Sequence, residues 1–137
     1  MKREKPDIAG HAVRHQGVSQ GVHYEIDYTW PREKLLSKAI SIEHDMEEYL
    51  KEARLQDAET AGLIVLEIRQ RLLGEDHEDT AAAYLRLGVV YDDAGEYARA
   101  LGYYGKALRI YKKVLGEVHP STEKTRNHYD EIRRKLE

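Results

Sequence analysis

The sequence contains no cysteine and no phenylalanine, and only three prolines and one tryptophan in 137 residues. Without cysteine there is no disulfide framework, no cysteine–zinc site and no thiol nucleophile. Without phenylalanine, aromatic packing falls to ten tyrosines, each carrying a hydroxyl. Neither charge sign dominates. The 22 Lys and Arg against 25 Asp and Glu give a net charge of −3, which is not the strongly basic footprint of a nucleic-acid binder. Long apolar runs are missing too. The longest, residues 61–66, falls far short of the roughly 20 residues a bilayer span needs. Residues 1–6 have no apolar stretch behind them and do not read as a signal peptide. The expectation is a single-domain cytoplasmic protein that contacts neither membrane nor nucleic acid.

What is present is an internal repeat. The run Leu73-Gly74-Glu75-Asp76-His77-Glu78-Asp79-Thr80 returns as Leu115-Gly116-Glu117-Val118-His119-Pro120-Ser121-Thr122, a shift of 42 residues. The same shift carries Tyr49 to Tyr91, Ala58 to Ala100, Leu66 to Leu108 and Ile68 to Ile110. A fixed period of this size marks stacked supersecondary units. Within each unit the apolar residues step by three and four, the helical spacing. Thr80, Tyr84, Leu87, Val90 or Tyr91, and Ala94 form one such face, and Ala100, Tyr103 or Tyr104, Ala107, Leu108, Tyr111 and Leu115 form another. Gly74, Gly95 and Gly116 stand where helices stop. The spacing predicts helices at about 32–54, 57–73, 79–94, 96–115 and 121–136. In the last of these Thr125, Tyr129, Ile132 and Leu136 make a single narrow apolar stripe, as a terminal cap of a solenoid would.

Catalytic motifs do not emerge. There is no Gly-rich phosphate loop, no G-x-S-x-G and no H-E-x-x-H. His11 and His15 have i, i+4 spacing, but Gly10 and Gly17 flank them with no helical pattern, so they read as solvated rather than as metal ligands. His77 and His119 recur just before helix starts and read as groups that bond a helix terminus. No enzymatic activity, no cofactor and no metal are expected.

Tyr84, Leu87, Gly88 and Tyr91, followed by Gly95, Tyr97, Ala100, Tyr104 and Ala107, have the spacing of a tetratricopeptide repeat, which the chain resembles over about residues 37–137. The 42-residue period and the Leu-Gly-x-x-His element are similar to repeats of the kinesin-light-chain type. Leu85 and Arg86 stand where that type commonly has two Asn, and Asp45 stands where a Leu is usual. The resemblance implies an all-α solenoid of about two and a half helix pairs. Its implied function is a protein–protein interaction scaffold that takes an extended peptide in a shallow groove lined by the first helix of each pair. Carried onto this chain, the groove positions are Ile40, Glu43, His44 and Glu47; Ala82, Leu85, Arg86, Val89, Asp92 and Asp93; and Asn127 and Glu131, flanked by Lys124, His128 and Arg134. Some relatives hold a peptide's terminal carboxylate with Lys and Asn. Leu85 and Val89 occupy two of those positions here and argue against such a clamp.

Residues 1–31 hold two of the three prolines and three of the seven histidines and read as an extended or flexible segment. Within it, residues 22–30 alternate without a break, which predicts a strand with Tyr24, Ile26, Tyr28 and Trp30 on one face. A strand beside helices has no obvious neighbour. It could fold back on the helices, pair with a second copy, or order only on a partner. Pairing in a homodimer is favoured, because so few repeats make a marginal solenoid. This makes a structural oligomerisation module the alternative function. The acidic and aromatic residues 24–30 also resemble peptides accepted by kinesin-light-chain-type grooves, so the segment could occupy a groove itself.

Overall fold

The computed structural model describes residues 12–14 and 21–137. Among these the order is β1 (Ala12–Arg14), β2 (Glu25–Asp27), α1 (Arg32–Lys51), α2 (Leu55–Leu73), α3 (Glu78–Asp93), α4 (Tyr97–Leu115) and α5 (Pro120–Leu136). The fold is all-α and repeat-like, as the 42-residue period predicts. Two compact units divide it, one ending at Ile68 and one running from Arg69 to Glu137.

In the first unit β2 pairs antiparallel with β1, with Val13 opposite Ile26. This corrects the sequence reading twice. The predicted strand at 22–30 shrinks to Glu25–Asp27, and it has a neighbour in a segment read as irregular. The strand stops because Asp27 builds a turn. Its carboxylate accepts from the Thr29 backbone N–H at 2.8 Å and the Thr29 hydroxyl at 2.6 Å. Trp30 N–H then donates to the Asp27 carbonyl at 3.0 Å. The segment folds back on its own unit. The Tyr24 hydroxyl donates to Asp45 Oδ2 at 2.8 Å and lies 3.4 Å from the Tyr49 hydroxyl. Val22 N–H donates to Asp57 Oδ1 at 3.2 Å, and Ile26 is fully buried. Burial and these hydrogen bonds push the Tyr24 hydroxyl well above the usual tyrosine range.

Helix α1 buries Leu35, Ala39, Ile42 and Met46, the four-three-four stripe expected of an amphipathic helix. It stops at Lys51 rather than near 54, because Ala53 turns left-handed with φ 59°. Ala53 occupies the repeat position of Gly95, where φ is 78°. A side chain in that region costs about 1–2 kcal/mol, partly offset in glycine by its greater unfolded entropy. Ala53→Gly is therefore expected to raise the urea midpoint, by about 0.5–1 kcal/mol of stability.

The second unit contains the end of α2 with α3, α4 and α5. Helices α3 and α5 start on the recurring histidines. His77 Nδ1 accepts from Asp79 N–H at 3.0 Å, and His119 Nδ1 accepts from Ser121 N–H at 3.1 Å. Each ring satisfies a donor that the first helical turn leaves open. Thr80 donates to the Gly74 carbonyl at 2.8 Å and secures the loop before α3.

Helix α4 packs on both α3 and α5. Tyr103 lies between Tyr84 and Tyr91 of α3, with ring centroids 6.1 and 5.1 Å away. Gly88 makes room for Tyr104: a Cβ built there would lie 2.5 Å from the ring. Helix α5 buries Thr122, Thr125 and Ile132. At the positions where α3 meets α4 through Tyr84, Gly88 and Tyr91, α5 instead carries Arg126, Asp130 and Arg133.

Tyr84 is held by polar groups as well as by packing. Its hydroxyl donates to Glu75 Oε2 at 2.5 Å and accepts from Gln70 Nε2 at 2.9 Å. Burial, reinforced by the Glu75 carboxylate, pushes its pKa up to about 12 from 10.0. The folded state then holds this proton more tightly than the unfolded chain. Its contribution is complete below pH 10.0 and is lost as pH rises toward about 12. In alkaline urea titrations this proton should account for a loss on the order of 2 kcal/mol over that window, added to the losses from Tyr24 and Tyr104. Tyr84→Phe should lack that component.

Candidate interaction surface

The groove positions fall on three helices. On α1 of the first unit Ile40 is 51% exposed, His44 is exposed, and Glu43 and Glu47 are half-buried. Tyr24 of the same unit reaches Asp45 and Tyr49, which are not groove positions.

In the second unit α3 presents Ala82, Arg86, Val89 and Asp92 half-buried and Asp93 exposed. Leu85 differs from the expectation of an open apolar anchor. It keeps only 8% exposure. Val89 and Ala82 are the apolar side chains left for a visitor. Asn127, Glu131, Lys124 and Arg134 of α5 are exposed, and His128 is half-buried.

Tyr104, fully buried on α4, ties these two rows together. Its hydroxyl donates to Asp92 Oδ2 of α3 at 3.2 Å. Its ring stacks on His128 of α5, with centroids 5.1 Å apart and planes 16° from parallel. Lys135 of α5 completes the link, 3.9 Å from the other Asp92 oxygen. Burial first, and the charge of Asp92 next, push the Tyr104 hydroxyl well above the ordinary range. Partial desolvation at its base first, and the charge of the neighbouring Asp92 next, raise Asp93, although its side chain reaches solvent. Sequence reasoning saw Tyr104 only as packing. Its second role shows in the sequence as a tyrosine, rather than a leucine, twelve residues after Asp92.

The surface is therefore a strip of two half-buried apolar side chains between a guanidinium, an amide and carboxylates. That set suits a peptide backbone with mixed side chains. Among the described residues no group of three or more His, Asp or Glu could hold a metal, and no helix is long and apolar enough to cross a membrane. His11 and His15 lie outside the described residues.

Comparison with known proteins agrees with this geometry. The tetratricopeptide repeat family profile matches residues 49–129, more than half of the chain. A protein fem-1 homolog of Drosophila melanogaster is 27% identical over 122 residues, 88% of this chain and 17% of that protein. A clustered mitochondria protein homolog of Aspergillus fumigatus is 33% identical over 78 residues, 57% of this chain and 6% of that protein. Protein fem-1 homolog A of Bos taurus is 32% identical over 71 residues, 52% of this chain and 11% of that protein. The chain thus spans less than a fifth of the length of these relatives. With its repeats, its paired helices and this match in hand, the chain belongs to the tetratricopeptide repeat family.

Proposed function

We propose that this chain is a protein–protein interaction scaffold whose second unit binds an extended partner segment across α3 and α5. The observation that carries this reading is the strip anchored by Tyr104. Tyr104 links α3 to α5, and along those helices Val89 and Arg86 are half-buried while Asn127 and Glu131 are exposed. Helix α1 offers Ile40, Glu43, His44 and Glu47 as the corresponding row of the first unit. The 42-residue period supports placing the repeats in the kinesin-light-chain type. Engagement of Tyr24 and Ile26 within their own chain favours this reading over an oligomerisation module built on Tyr24, Ile26, Tyr28 and Trp30.

Selection from a displayed library of random linear peptides tests it. Wild type should enrich a peptide set with a shared pattern. Arg86→Glu combined with Val89→Glu should lose that set while keeping its helical circular dichroism. Equal enrichment by wild type and variant would refute the assignment.

A further inference from the structure

Helix α4 carries five cations and no carboxylate: Arg99, Lys106, Arg109, Lys112 and Lys113. One repeat earlier the same positions are Asp57, Ile64, Glu67, Gln70 and Arg71. The basic character is thus particular to α4 and is not a demand of the repeat. All five side chains are exposed. Arg99, Lys106, Arg109 and Lys113 step by seven, three and four residues, so they follow one line along the helix. At 1.5 Å per residue that line is about 21 Å long.

The cations are held in place by what they touch. Arg99 lies 4.4 Å from the centroid of the Tyr91 ring and 3.1 Å from Glu96, and Lys106 lies 5.6 Å from the Tyr84 ring centroid. Arg109 and Lys113 grip Asp76 at 3.3 and 2.6 Å. That grip shows how the line receives a carboxylate, and the Lys113 hydrogen bond holds Asp76 below the usual carboxylate range.

A second observation concerns glycine. Two glycines interrupt α4, each at a helix-propensity cost of about 1 kcal/mol. Gly105 has a packing reason, since a Cβ there would lie 3.3 Å from the Tyr129 ring. Gly102 has none. It is exposed, and a Cβ built on it would meet nothing within 4 Å. It sits on the same line, three residues after Arg99 and four before Lys106. A glycine facing open space between two ordered cations lets a visiting backbone approach closely.

We propose that this face of α4 docks an acidic segment of a partner protein, its backbone crossing at Gly102 and its carboxylates meeting Arg99 and Lys106. Glu75, Asp76 and Glu96 rim the line and oppose a continuous phosphate backbone. Val114 is the one large apolar side chain that α4 exposes, too little to enter a bilayer.

The test is fluorescence anisotropy with a labelled polyglutamate peptide. Oligothymidylate of equal charge and vesicles containing phosphatidylserine are measured beside it. Polyglutamate should bind the full chain. Arg99→Glu with Lys106→Glu should weaken it by about tenfold or more. Gly102→Gln removes no charge and favours the helix, so it should fold. It should still weaken binding by about tenfold, because the added side chain blocks the crossing point. Unchanged affinity in Gly102→Gln would reduce the effect to diffuse attraction and overturn the proposal. So would absent polyglutamate binding, or binding to oligothymidylate or vesicles as tight as to the peptide.

Discussion

Replacing Gly88 with leucine is expected to cost more than about 3 kcal/mol, beyond the ordinary range for overpacking. A helix-interior glycine normally gains about 1 kcal/mol on becoming alanine. Here the sign reverses, because even a Cβ would stand 2.5 Å from the Tyr104 ring. That ring cannot step aside. It is fully buried, its hydroxyl is bonded to Asp92 and its face is stacked on His128. A helix–helix contact of α3 with α4 must therefore open, in a protein whose total stability is on the order of 5–15 kcal/mol. Urea unfolding followed by far-ultraviolet circular dichroism would show the loss. A Gly88→Leu protein as stable as wild type would contradict the packing described.

Tyr104→Ala should cost about 3–5 kcal/mol, the range for deleting a large buried ring. Tyr104→Phe separates the two roles of the side chain. It keeps the ring and its stacking on His128 and removes the hydrogen bond to Asp92, so about 1 kcal/mol is expected. The double variant Gly88→Leu with Tyr104→Ala should cost less than the sum of the two. The leucine fills space that the ring has vacated, and residues in contact are not additive. Additive losses would mean that Gly88 and Tyr104 do not share one site.

The helices were legible because each leaves two independent marks, a three-four apolar spacing and a stop. Gly74, Gly95 and Gly116 all take positive φ. The end of α1 was harder, because Ala53 does the same work without being glycine. His77 and His119 were legible from recurrence alone, since a shared position before two helices pointed to a shared bond. The N-terminal strand is shorter than its alternation predicts, and its pairing within the chain leaves no mark there. Alternation at 22–30 carries no sign of the turn that Asp27 makes with Thr29, nor of the pairing with Ala12–Arg14. On the candidate surface, repeat positions placed Val89, Arg86 and Asn127 on solvent-reaching rows but misjudged Leu85. Helical spacing alone does not say that the adjacent Tyr84 and Leu85 are both buried.

On the proposed reading, α3 and α5 of the second unit receive an extended partner segment. Amide chemical-shift mapping of the labelled full chain, with a peptide enriched from the random library, tests this. The shifts should cluster at Ala82, Arg86, Val89 and Asp93 of α3 and at Asn127, His128 and Glu131 of α5. Shifts confined to residues 24–30 or to the exposed face of α4, with these positions unmoved, would contradict it.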